Sequence, residues 1–185
     1  MTLRAPLKTF VLAVHVISSV GWIGAVVAYL ALVFAALTSD SAQTVRAAFL
    51  AMEMTYFVLV PLAIVALLTG LVQSLGTAWG LFRHYWVVFK LVLTVLATAV
   101  LLGNMSTVGS LADDARMAGM EPPDAGGQLL HAGVGLVVLV MTAILGLYKP
   151  RGLTRYGQRK QRELRARGSQ DRQADAEEQR EPLVP

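Results

Sequence analysis

The chain contains no cysteine. Without thiolates it forms no disulfide, no thiolate metal site and no iron–sulfur cluster, and it cannot attach a c-type haem covalently. Charged residues are also scarce, since they make up 15% of the sequence while hydrophobic residues make up 55%. This balance lies outside the range of soluble globular domains. The composition therefore predicts an integral membrane protein, in which His, Met, Tyr or a carboxylate would have to hold any metal or haem.

Four apolar segments are long enough to cross a bilayer as helices. They lie at about residues 9–37, 54–75, 80–102 and 128–148. Residues 1–150 are thus predicted to have an all-α fold, a four-span antiparallel transmembrane helix bundle. The stretch from Val45 to Met52 has helical character and is expected to lead into the second span. Residues 103–127 contain acids, two prolines and a Gly-Gly pair, which predict an irregular loop.

The charges are divided unevenly between the spans and the C-terminal tail. Residues 1–148 carry six Lys/Arg and six Asp/Glu, so residues after 148 carry the whole formal excess of +4. Residues 149–167 alone hold eight Lys/Arg and one acid. We predict that residues 151–185 form a basic, disordered cytoplasmic tail. Because its basic run adjoins a span, anionic lipid headgroups are its expected partner, and no nucleic-acid partner is expected.

The positions of the Lys and Arg residues also predict the orientation of the chain. Arg4 and Lys8 precede the first span, Arg83 lies near the connection between the second and third spans, and the basic run follows the fourth. The other two connections contain only Arg46 and Arg116 as basic residues. Cytoplasmic segments carry an excess of Lys and Arg. Both termini of this multi-pass chain are therefore expected in the cytoplasm, with the acidic 103–127 connection outside.

Ionisable residues within the apolar segments call for an explanation, because charge is costly inside a membrane. Arg83, His84 and Lys90 lie in the third segment, and His15 lies in the first. His15 and His84 form a candidate pair of axial ligands for b-type haem, with Arg83 or Lys90 pairing with the propionates. In the alternative interpretation, His15 hydrogen-bonds a neighbouring helix and Lys90 extends back to the lipid headgroups.

A second group of residues has donor types that suit copper. Met52, Glu53 and Met54 are adjacent at the start of the second span, and His131 begins the fourth at a similar depth. Thioether sulfurs bind Cu(I), which makes these four residues a candidate metal site. Methionine also serves as an ordinary gap-filling residue in apolar regions. The spacing does not decide between these two interpretations.

No enzymatic function is indicated. The spans contain no paired carboxylates, and the sequence does not show the succession of Ser, His and acidic residues that is typical of hydrolases. Three functions remain open: haem binding with a redox role, transport of protons, copper or other small cations, and a structural or accessory role in a membrane complex. Small residues favour close helix contacts. We therefore expect a homodimer through Gly21, Ala25 and Ala28 or through Gly133 and Gly135.

Three stretches carry a resemblance: HVISSVGWIGAVVAYLAL, TGLVQSLGTAWGLFRHYWVVFKLVLTVLAT and YKPRGLTRYG. Over about residues 8–157 the chain resembles a family of uncharacterised bacterial four-helix integral membrane proteins. It is more distantly similar to the copper resistance D type membrane domain, through His15, Trp22 and Gly24. The resemblance implies a four-helix architecture in the bacterial cytoplasmic membrane and implies no particular activity.

Overall fold

The computed structural model describes residues 5–76, 84–117, 124–148 and 152–178. Four of its helices are long and apolar enough to cross a membrane. They are α1 (Ala5–Thr38), α2 (Ala42–Gly76), α3 (Tyr85–Arg116) and α4 (Gly126–Tyr148). Within the described ranges the only β-type pairing is an isolated bridge. The protein is therefore an all-α, multi-pass membrane protein, as the sequence predicts.

The four spanning helices occupy the corners of a bundle. The helix α1 packs against α2 and α4, and α3 packs against the same two helices, whereas the described parts of the α1 and α3 backbones do not pack against each other. The helices α1 and α3 thus stand at opposite corners. We call the end where α1 begins and α4 ends the termini end of the bundle, and the opposite end the loop end.

A single stripe on each helix forms the core. In α1 the buried residues Trp22, Val26, Tyr29 and Val33 recur at intervals of three or four, which places them on one face. They join buried residues of α2, α3 and α4 in one cluster. The remaining faces of the four helices expose many large apolar side chains, as surfaces in contact with lipid do.

The structure corrects the predicted end of the third span. The helix α3 does not stop near residue 102 but continues to Arg116, so much of the predicted loop is helical. Val108 and Ala115 of this extension are buried in the same core as Phe49 of α2. Burial against the first turns of α2 therefore stabilises a helix in a segment whose glycines and acids favour a loop. The predicted helical lead-in to α2 is confirmed, since α2 begins at Ala42.

The tail also differs from its predicted disorder, because it contains a fifth helix, α5 (Arg155–Glu178). Thr154 caps this helix by accepting a hydrogen bond from the Gly157 N–H at 3.0 Å. Arg159 and Glu163 then pair across one turn at 3.3 Å. Within the described residues α5 packs against none of the four spanning helices. Local capping and charge pairs thus account for a helix that burial does not support.

Ala112 lies in the extension of α3 and is 0% exposed, so a substitution at this position tests whether the extension is packed. Replacing Ala112 by Phe should lower stability by about 1–3 kcal/mol, because a fully buried alanine site has no room for the ring. Thr107→Phe is the matched control, since Thr107 lies on the exposed side of the same helix. Thermal unfolding in detergent measures both variants. Equal melting temperatures for the two would contradict the packed extension.

Candidate functional site

His15 is bonded to the neighbouring helix. Its Nδ1 lies 3.0 Å from the Ala66 carbonyl oxygen and 3.1 Å from the Thr69 hydroxyl oxygen. Since a carbonyl oxygen only accepts hydrogen bonds, Nδ1 carries the proton. The ring lies against Gly70 of α2, where an added Cβ would stand 3.1 Å from the His15 Cε1. His15 therefore joins α1 to α2, in agreement with the alternative interpretation of this residue.

His84 has a different role at the termini end. It is the residue before α3 and has an extended backbone, with φ −126° and ψ 132°. Through that backbone it forms an antiparallel bridge with Leu153. Its position joins the start of α3 to the segment that leads into α5.

The predicted histidine pair does not fit b-type haem. Axial ligands must face each other across the iron, but the His15 ring faces α2 and His84 belongs to the helix at the opposite corner. The whole outer edge of the His15 ring lies close to Gly70. A Cβ placed at Gly70 would be 3.1 Å from Cε1, 3.6 Å from Nδ1 and 4.0 Å from Nε2. Arg83, proposed as a propionate partner, lies outside the described residues.

The predicted copper ligands are not gathered around one point. Met52 is 0% exposed and lies in the core, whereas Met54 is 69% exposed on the outer surface. The carboxylate of Glu53 pairs with Arg116. Within the part of the chain that the structure describes, no group of three or more His, Asp or Glu side chains is placed to hold a metal ion.

Lys90 extends into the bundle. Its Nζ lies 3.0 Å from the point where a Cβ at Gly146 of α4 would stand. Among the described residues no carboxylate forms an ion pair with it. One interpretation of the sequence expected the Lys90 side chain to extend back to the lipid headgroups. The structure does not show this arrangement. An interior ammonium without a counter-ion is costly.

At the loop end, a buried hydrogen-bond network contains one residue from each spanning helix. The Tyr29 hydroxyl donates to Gln128 Oε1 at 2.9 Å, and the Asn104 amide donates at 2.9 Å both to the same oxygen and to the Tyr56 hydroxyl. The two tyrosine rings meet edge to face with centroids 5.9 Å apart. We call these four residues the tyrosine–amide network. The sequence did not identify Asn104 as part of the bundle, because Asn104 lies in the segment that was predicted to be a loop.

A cavity of about 510 Å³ lies beside the tyrosine–amide network. The rings of Trp22, Tyr29 and Tyr56 form part of its wall, and the remaining wall is mostly aliphatic side chains of α3 and α4. Its rim consists of largely exposed apolar residues, which are Leu96 and Val100 of α3 and Leu130 and Val134 of α4. Because such residues face lipid in a membrane protein, the cavity opens towards the bilayer between α3 and α4.

Two hydrogen-bonding groups in the cavity wall are unused within the described chain. The Tyr56 hydroxyl accepts a bond from Asn104, but its own proton is donated to no described residue. His131, half-buried in the wall one turn beyond Gln128, makes no hydrogen bond to a described residue. The cavity therefore offers a hydroxyl donor and an imidazole to a bound molecule, in otherwise apolar surroundings.

No family model matches this chain, and no curated protein and no solved structure matches it. The resemblance described from the sequence therefore stays a prediction.

The tyrosine–amide network predicts a coupled loss of stability. Gln128→Leu removes the acceptor shared by Tyr29 and Asn104 and should lower stability by about 1–3 kcal/mol, because the buried Tyr29 hydroxyl loses its partner and Asn104 keeps only its bond to Tyr56. Thermal unfolding in detergent measures the loss. The double variant Tyr29→Phe with Gln128→Leu should lose less than the sum of the single variants. Strictly additive losses would contradict the direct bond.

For Lys90 we predict that removal of the charged group does not lower stability. Lys90→Met keeps an unbranched chain of similar length and removes the unpaired charge, so the melting temperature should be equal or higher. Lys90→Arg is the control, because the larger guanidinium has no space beside Gly146 and should lower the melting temperature. A marked drop for Lys90→Met would show that the fold needs the ammonium.

Proposed function

We propose that this membrane protein binds a lipid-soluble molecule with a hydrogen-bonding ring and an apolar tail, of the quinone class, in the cavity between α3 and α4. The observation that carries the proposal is the pair of unused groups, the Tyr56 hydroxyl and the His131 ring, in the wall of a large apolar cavity. The volume of about 510 Å³ lies within the range of small-molecule sites.

The ligand reaches this cavity from the bilayer. The exposed rim residues are aliphatic, so they suit the passage of an apolar molecule from the lipid. Gly135 of α4 lines the cavity and leaves space there, since a Cβ at this position would have no atom within 4 Å. The absence of a side chain at Gly135 keeps the seam between α3 and α4 open at the depth of the cavity.

The wall has the chemistry to hold the ring of such a ligand. The Tyr56 O–H donates to a carbonyl oxygen of a quinone. A neutral His131 has one ring nitrogen that donates and one that accepts, so it bonds either a carbonyl or the hydroxyl of the reduced form. The aromatic ring of Trp22 provides a contact surface for the ligand ring.

Cation transport is less well supported than ligand binding. The Lys90 ammonium lies in the interior of the bundle, where its positive charge repels a passing proton carrier or metal cation. The described residues also offer no group of three or more His, Asp or Glu side chains for a metal. The geometry therefore favours a neutral ligand over copper or another cation.

We further propose that the protein lies in a bacterial cytoplasmic membrane with both termini in the cytoplasm. The support is the excess of Lys and Arg in the segments at the termini end. In this orientation, the cavity and the tyrosine–amide network lie in the outer half of the bilayer.

Fluorescence of Trp22 tests ligand binding, since Trp22 lies in the cavity wall and the chain has three tryptophans. In the variant Trp79→Phe with Trp86→Phe, only Trp22 remains. Titration with decylubiquinone in lipid nanodiscs should quench its emission and reach saturation. Gly135→Phe, which fills the cavity, should remove the saturable part, whereas Val137→Phe on the exposed face of α4 should keep it.

A second variant tests the hydrogen bond between His131 and the ligand. His131→Leu should weaken binding by about tenfold, which corresponds to about 1.4 kcal/mol and is typical of one lost hydrogen bond. Quenching that rises linearly and equally in all variants would mean that the quinone only dissolves in the bilayer. That result would overturn the proposed function.

A further inference from the structure

A second apolar surface lies at the termini end of the bundle, on the outer side of α3 and α4. It is a groove of about 610 Å³ whose wall includes Trp86, Phe89 and Val92 of α3 and Leu145 of α4. Tyr85 and Gly152, both exposed, also line the groove, and we call these two residues its rim. The groove lies beyond the ligand cavity and shares none of the residues that line it.

The segment before α5 is attached to this rim by its backbone. The Tyr85 N–H donates to the Gly152 carbonyl at 3.4 Å, and the next residue, Leu153, pairs with His84. A Cβ at Gly152 would stand 3.9 Å from the Tyr85 ring, so the two residues are in contact. Since Thr154 caps α5 directly afterwards, the first turn of α5 is placed beside the open end of the groove.

The first turns of α5 are strongly basic. Arg155, Arg159 and Arg162 are spaced by four and three residues and therefore form one stripe on the helix. The first acid in α5 is Glu163, which pairs with Arg159 and Lys160. Arg155 pairs with no carboxylate among the described residues. The exposed ring of Tyr156 in the same turn suits a membrane interface.

We propose that the groove and the first turns of α5 form a binding site for one anionic phospholipid. An acyl chain lies in the groove along Trp86, Phe89 and Leu145, and the phosphate meets Arg155 and Arg159. The apolar groove and the adjacent cations, of which Arg155 pairs with no carboxylate among the described residues, match the two parts of such a lipid, whereas a zwitterionic lipid gains less from the cations. The bridge between His84 and Leu153 holds the two parts of the site together.

Quenching of Trp86 by brominated lipids tests this site. In the variant Trp22→Phe with Trp79→Phe, Trp86 is the only tryptophan. In phosphatidylcholine vesicles, a small fraction of dibrominated phosphatidylglycerol should quench Trp86 more strongly than the same fraction of dibrominated phosphatidylcholine. Arg155→Gln with Arg159→Gln should lower the relative association constant of the anionic lipid by about tenfold.

The matched control separates a defined site from a diffuse attraction of the basic tail. Arg165→Gln with Arg167→Gln removes the same charge farther along α5 and should keep the preference for the anionic lipid. An equal loss in both double variants would mean diffuse attraction, and no preference in the starting variant would mean no site. Either result would overturn the proposal.

A second measurement does not depend on the tryptophan substitutions. In the unmodified chain, phosphatidylglycerol added to detergent should raise the melting temperature more than phosphatidylcholine does, since a ligand of the folded state stabilises it. This difference should vanish in Arg155→Gln with Arg159→Gln and persist in Arg165→Gln with Arg167→Gln. A difference that survives the first pair would place the headgroup elsewhere and overturn the site.

Discussion

The hydrogen bonds received by Gln128 Oε1 determine how the four spanning helices meet at the loop end. Lipid tails are as apolar as the helix surfaces, so the hydrophobic effect does little to press these helices together. Buried polar groups, by contrast, must find partners, because no water reaches them. The Tyr29 hydroxyl of α1 and the Asn104 amide of α3 both donate to this oxygen of α4, and Asn104 also reaches Tyr56 of α2. Helices at opposite corners of the bundle are thus joined through a single acceptor.

The cavity follows from this arrangement. The network holds the loop ends of α3 and α4 at a fixed separation, and between those ends and the middle of the bilayer α4 has Gly135 in the cavity wall. A large side chain at this position would fill the seam, but glycine leaves it open. The network also leaves the Tyr56 proton unused, since Asn104 donates to the tyrosine oxygen. The contacts that hold the bundle together therefore create both the space and one of the hydrogen-bond donors of the candidate site.

Hydropathy was enough to predict the four spans, because length and apolarity are local properties of the chain. The end of α3 was predicted wrongly, since Gly103, Asn104 and the acids that follow favour a loop until α2 is there to bury Val108 and Ala115. That error concealed Asn104, the residue that completes the tyrosine–amide network. The partners of His15 lie more than fifty residues away along the chain, and no local pattern predicts such a contact. The haem hypothesis compared histidines by depth alone, and depth does not reveal that α1 and α3 occupy opposite corners.

The helix α4 meets its neighbours in different ways at the two ends of the bundle. With 23 residues it is the shortest of the four spanning helices, whereas α2 has 35 and α3 has 32. At the loop end Gln128 joins it to α1 and α3 by hydrogen bonds, and at the termini end Lys90 Nζ lies against its Gly146. Between these points α4 meets α3 across the open seam, with no hydrogen bond between side chains of the two helices over the described residues 129–145. Along the middle of α4, the apolar cavity wall thus takes the place of side-chain hydrogen bonds to α3, and this is where the proposed ligand must enter from the bilayer.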